Sequence, residues 1–180
     1  MILGLDVSTS ITGATVIDRD GEILYCEAWD TRNKKKYPTL YEKADFAKEK
    51  LRSLAHRSFI IEKVYIEKNL QMFAAGRSSA NTLFTIAKFN GIVSYICESV
   101  LKTKVEYISP GSARKTCNIK VSRGEKAKEV VLKHLMENER DFEVKYTKFG
   151  NPAPGTYDRA DSVIVARAGL ELWRNENLKF

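Results

Sequence analysis

The chain has 180 residues, 43% of them hydrophobic, and carries a formal net charge of +7 at pH 7. That length predicts one domain over residues 1–180, and the positive charge points to an anionic partner, nucleic acid first, against the plainer alternative of a solvated lysine surface. The odd set Cys26, Cys97 and Cys117, with no CxxC, argues against a disulfide framework, and no run reads as a membrane span or a signal peptide; with a nucleic-acid partner, a cytoplasmic or other reducing, DNA-containing compartment is expected, with no membrane and no secretion.

Ile2–Val7 is a short apolar run, read as a buried strand. Ser8-Thr9-Ser10 makes a turn, and Gly13–Ile17 returns as a second strand. Asp18-Arg19-Asp20-Gly21 has hairpin chemistry and leads into a third strand, Glu22–Trp29. A polar, lysine-rich loop covers Thr31–Tyr37. Pro38 suits a first helical position, and Leu40, Ala44, Ala47, Leu51 and Leu54 recur at three and four, which predicts an amphipathic helix over Thr39–Arg57. Lys63–Glu67 is a fourth strand. After a mixed loop, Lys68–Arg77, either Ser78 or Ser79 can cap a long helix whose inner face includes Leu83, Ala87, Gly91, Ser94 and Leu101. Glycine in mid-helix costs about 1 kcal/mol against alanine, so close packing of Gly91 on the sheet is expected. Cys97 reads as core. Val105–Ile108 is a fifth strand, stopped by Ser109-Pro110-Gly111. Ser122-x-x-Glu125 reads as a capping box ahead of Ala127, Val130, Val131 and Leu135. Tyr146–Gly155 holds Pro152, Pro154, Gly150 and Gly155 and reads as a loop; Thr156 then caps a final helix to about Asn175. A meander followed by helix, strand, helix, strand and helices predicts an α/β fold with a five-stranded mixed sheet flanked by helices.

Four carboxylates stand at the edges of elements that read as buried: Asp6, Glu67, Asp158 and Asp161. Asp6 and Glu67 end strands. Asp158 and Asp161, spaced i, i+3, share one face in the first turn of the last helix. Each has a plain explanation, since an aspartate after a strand can cap a turn and acids in a first turn suit the helix dipole. As a set they make a different case. Ionised carboxylates are costly to desolvate and repel one another when gathered, and hard divalent cations remove that conflict. Mg²⁺, with Mn²⁺ as a substitute, suits such oxygen ligands, and a two-ion site can hydrolyse a phosphodiester. His56 and His134 lack HxxxH or HxH spacing, which argues against zinc, and no P-loop or GxSxG is present.

The segments that carry these acids resemble the RuvC-type Holliday junction resolvases, of ribonuclease-H-like fold. Ile2-Leu3-Gly4-Leu5-Asp6-Val7-Ser8-Thr9-Ser10-Ile11-Thr12-Gly13 is similar to that family's first strand and turn. Ile66-Glu67 with Met72-Phe73, then Ser79-Ala80-Asn81 and Gly91, resembles its second motif. Ala113-Arg114-Lys115 and Gly124-Glu125-Lys126-Ala127-Lys128 resemble its basic segment, and Tyr157-Asp158-Arg159-Ala160-Asp161-Ser162 its closing acidic motif. The resemblance implies that Asp6, Glu67, Asp158 and Asp161 are metal ligands and that Lys126 is catalytic, with Arg114, Lys115 and Lys126 on DNA. It also implies a bulky residue that enters the junction core. Leu70 lies at the family-like distance from Glu67, whereas Phe73, further on, is the better chemical wedge because aromatic rings stack on bases; a core aromatic is its plain alternative.

Two lysine- and arginine-rich stretches, Thr31–Arg57 and Lys102–His134, each hold nine basic residues against three acids and make candidate phosphate tracks. The expected function is a metal-dependent endonuclease that resolves four-way DNA junctions by paired symmetric nicks, acting as a homodimer because such a junction calls for two matched sites. Alternatives are a ribonuclease-H-like nuclease on RNA, hybrids or forks, a phosphate-binding domain of actin or sugar-kinase type, for which the chain is short, and a non-catalytic nucleic-acid-binding module.

Overall fold

Apolar alternation in the first thirty residues folds into an antiparallel meander: β1 (Ile2–Asp6), β2 (Ile11–Ile17) and β3 (Ile23–Asp30). Helix α1 (Leu40–His56), β4 (Lys63–Glu67), α2 (Ala80–Leu101) and β5 (Val105–Ile108) follow, then α3 (Pro110–Thr116), α4 (Ala127–Asn138) and α5 (Thr156–Asn177). The structure is a computed structural model and describes residues 1–57, 59–68 and 80–177. The five strands form one sheet in the order β3-β2-β1-β4-β5. β2 runs antiparallel to β1 and β3, whereas β1, β4 and β5 are parallel. This is the mixed α/β architecture that the sequence predicts.

Strand pleating divides the side chains between two cores. Leu3, Leu5, Ala14, Val16, Val64 and Ile66 face α1 and α2, where Leu51, Leu54, Phe89, Val93 and Cys97 meet them. Ile2, Ile17, Tyr65 and Ile108 face the other way, against Ala160, Val163, Ala166 and Leu170 of α5, over which α3 and α4 are laid. Two strand glycines help set how closely α5 approaches the sheet. A Cβ on Gly4 would stand 2.4 Å from the Ala166 amide nitrogen, and one on Gly13 would stand 1.8 Å from the Asp158 carbonyl oxygen. Between them, the Thr15 and Ser162 hydroxyls bond at 2.7 Å in the buried interface.

The structure departs from the sequence expectations at several element ends and on one helix face. Thr39, not Pro38, starts α1: its hydroxyl accepts the Tyr41 N–H while Glu42 reaches back to the Thr39 N–H, so Pro38 precedes the cap. The buried stripe of α2 is Phe89, Asn90, Val93, Ile96 and Cys97; of the predicted inner face, Ala87 and Gly91 are exposed, Leu83 and Ser94 are half-buried, and Leu101 packs against the core. A Cβ at Gly91 would meet no atom within 4 Å among the described residues, so no close packing there compensates that glycine. Both stripes have helical spacing, and Phe89, Val93 and Ile96 bury more apolar area than Ala87 and Gly91, which decides which one turns inward. Ser109-Pro110-Gly111 does not only stop β5: Ser109 caps α3, with Pro110 inside its first turn. Glu125 accepts the Ser122 N–H at 2.7 Å, but the cap position of α4 is Lys126 and has no side-chain cap bond. Ser78 and Ser79, the expected caps of α2, lie outside the described residues.

Candidate active site

The parallel pairing of β1 with β4 joins Leu5 to Ile66, so the next residues, Asp6 and Glu67, leave the sheet side by side at its carboxyl edge. Period-two alternation sends both toward the α5 face, since Ile2 and Tyr65 point there and Leu3, Leu5, Val64 and Ile66 point away. On its other side Asp6 pairs with Gly13, whose Cα lies against the Asp158 carbonyl. The bare backbone of Gly13 thus lets the first turn of α5 descend beside the end of β1, bringing Asp158 and Asp161 to the same edge. The turn after Asp6 is fixed from within, because Ser8 Oγ accepts the N–H groups of Ser10 and Ile11. Lys43 of α1 reaches the Thr9 carbonyl in that turn. Buried Asn90 of α2 donates to the Glu67 carbonyl at 3.4 Å.

Burial and crowding raise the pKa of all four acids. Burial, then the charges of Glu67, Asp161 and Asp158, push the Asp6 carboxyl well above the usual carboxylate range. Burial and Asp161 raise Glu67 to about 7, and burial raises Asp161 to about 6. Asp158 is raised too, chiefly by burial. Nearby cations oppose this. Lys128 Nζ stands 3.8 Å from the Asp161 carboxylate and lowers all four acids. Burial depresses the Lys128 ammonium, and the four carboxylates together more than reverse that. Arg114, in the last turn of α3, lowers Glu67 and Asp161.

An all-oxygen donor set drawn from β1, β4 and α5 matches a hard divalent cation in ligand type. Among the described residues, no three Asp, Glu, His or Cys side chains are gathered closely enough to form a ready ligand cluster. The acids are therefore electrostatic neighbours separated by more than a closed coordination shell. Their charges raise one another's pKa, and a cation between them would reverse that effect.

Of the other residues singled out in the sequence, Arg114 joins the acids and Lys115 is exposed beside it on α3. Lys126 does not reach them: its ammonium is 2.9 Å from Glu129 in open solvent. Lys128, two residues on, takes the place beside Asp161. The sequence signal for it was its membership of the same basic segment, but only the start of α4 decides which lysine of that segment turns inward. Arg32, held by a double hydrogen bond to Asp30, also acts on Asp158. Leu70 and Phe73 lie outside the described residues.

No family model matches the chain, and no curated protein sequence matches it. Solved structures do. A Thermus thermophilus RuvC in complex with a Holliday junction substrate superposes with a TM-score of 0.65 at 15% identity, over 96% of this chain and 94% of that one. A second Thermus thermophilus RuvC structure gives 0.60 at 17%, over 97% and 96%. The yeast mitochondrial Holliday junction resolvase gives 0.60 at 15%, over 99% and 83%. These likenesses define the class of fold: ribonuclease-H-like, in its RuvC-type form, along nearly the whole chain.

Proposed function

We propose that this protein is a nuclease that resolves four-way DNA junctions. The observation that carries the reading is the convergence of Asp6, Glu67, Asp158 and Asp161 on one sheet edge, each holding its proton more tightly than usual, in a fold that RuvC resolvases share. We propose that the four acids hold Mg²⁺, two ions to a site, and that the 180 residues act as one nuclease domain. Held there, such ions would supply Lewis-acid chemistry for phosphodiester hydrolysis. The chain's own contribution is positional. The strand ends and the helix start fix the carboxylates from three directions. Lys128 and Arg114 lower the negative potential and offer positive charge to a phosphate that approaches the edge. Lys115, Lys126 and the rest of the basic segments suit the flanking backbone. A junction has two strands to nick in symmetry, so two copies of this chain would act together.

The test is a cleavage panel of labelled four-way junction, linear duplex and RNA–DNA hybrid, with Mg²⁺ or EDTA. The expected outcome is paired nicks in the junction with Mg²⁺ alone, none with Asp6→Asn, and junction binding retained by that variant. Preferential cutting of the hybrid would assign a ribonuclease-H-type activity instead.

A further inference from the structure

We propose that the hairpin tip between α4 and α5 is a base-stacking element, with Phe149 the ring that stacks on an unpaired nucleotide of the DNA substrate. This inference rests on the junction-nuclease reading above.

The segment is built, not slack. Tyr146 bridges to Pro152, Ala153 donates to the Lys145 carbonyl at 2.8 Å, and Thr147 donates to the Asn151 carbonyl at 2.8 Å. Gly150 closes the tip by donating to the Thr147 carbonyl at 3.0 Å, with a φ of +77° that suits glycine. The tip therefore holds Lys148 and Phe149 in a fixed outward position. Phe149 is 77% exposed, and Tyr146 is 54% exposed. Lys148 Nζ stands 4.9 Å from the centre of the Phe149 ring.

No folding role accounts for this ring. The core at the hairpin base is Phe142, which is buried, with the Arg159 guanidinium over it at 5.0 Å. A bare aromatic beside a lysine, on a pre-shaped turn, is the combination that captures an unstacked base together with its phosphate. The hairpin is also tied to the catalytic edge. Arg159, between Asp158 and Asp161 on α5, donates to the Glu143 carbonyl at 3.1 Å. A nucleotide held at the tip would thus be held in register with the first turn of α5. Lys145 and Lys148, in a chain of net charge +7, favour a nucleic acid over an apolar protein surface as the occupant.

The test compares wild type, Phe149→Ala and Phe149→Trp on the same four-way junction, in Ca²⁺ for binding and Mg²⁺ for cleavage. Fluorescence of 2-aminopurine, scanned through the nucleotides around the nick, reports stacking. Phe149→Ala should melt like wild type, lose binding and cleavage by roughly 5- to 100-fold, as for one lost base stack, and abolish quenching at one position. Phe149→Trp should keep both. Binding and cleavage by Phe149→Ala within twofold of wild type would overturn the inference while leaving the nuclease reading in place. A lowered melting temperature in Phe149→Ala, not reversed in Phe149→Trp, would make the ring structural and overturn it too. A wild type that binds no branched DNA would overturn both readings.

Discussion

Asp161 carries in one side chain the tension between folding and function in this protein. Its carboxyl is raised to about 6 and that of Glu67 to about 7, with burial as the first cause. An acid whose folded pKa lies above its unfolded value of roughly 4 binds more protons when folded. Its neutral form costs little below about pH 4, stability falls as the pH rises toward 6 or 7, and the full cost stands above that. Without divalent cations, Asp161→Asn should therefore melt several degrees above wild type at pH 8, a gain on the order of 1–3 kcal/mol, and nearly level with it at pH 4. The same variant should not cut. Melting curves in EDTA at both pH values check this, and a variant less stable than wild type at pH 8 would remove the repulsion from the account. Lys128 shows the converse. The basic segment around Lys126 is readable from residues alone, but the inward-facing member depends on where α4 begins, and the Ser122-x-x-Glu125 box does not cap that helix.

At the scale of elements, the site depends on how near α5 lies to the sheet. Gly13 has no side chain to hold the Asp158 carbonyl away, and Gly4 plays the same part under Ala166. Gly13→Ala places a methyl where backbone already stands, and neither the sheet nor the helix can yield without moving Asp158 and Asp161. The expected cost is on the order of 1–3 kcal/mol with a large loss of any cleavage activity. Gly91→Ala, on the exposed face of α2, should instead leave stability equal or up to about 1 kcal/mol greater, since only helix propensity changes. Urea unfolding of both variants gives the comparison; equal costs would mean that α5 adjusts freely. The sequence places Gly4 and Gly13 in strands, but a glycine in a strand has several meanings, and only the packed helix reveals this one.

For the whole molecule, the outward stripe of α2 bears on the number of copies. Phe84 is 62% exposed and Tyr95 73%, with Lys88 and Gly91 between them at helical spacing. A two-fold pairing of this stripe would bury both rings and use the open space at Gly91 for close helix approach. If the proposed homodimer forms there, Phe84→Glu with Tyr95→Lys should give monomers in sedimentation equilibrium and turn paired nicks into single ones. A double variant that stays dimeric would move the interface elsewhere. Among the described residues no helix is long and apolar enough to cross a membrane, which agrees with the absence of such a run in the sequence.

The strands, the long helices and the placing of four carboxylates at the ends of buried elements were legible in the sequence alone. Those features depend on local order: apolar runs, period-two and period-3.6 spacing, and carboxylates at the ends of buried elements. Tertiary structure decided what depends on two distant segments meeting. β1 and β4 pair in a register that sets Asp6 beside Glu67, although sixty residues separate them. Gly13 admits Asp158, Lys128 displaces Lys126 as the cation at the edge, and the stripe of α2 that buries more apolar surface turns inward. Spacing along a chain fixes which residues share a face. Which face is buried, and what it meets there, follows from the competition among all the faces for one core.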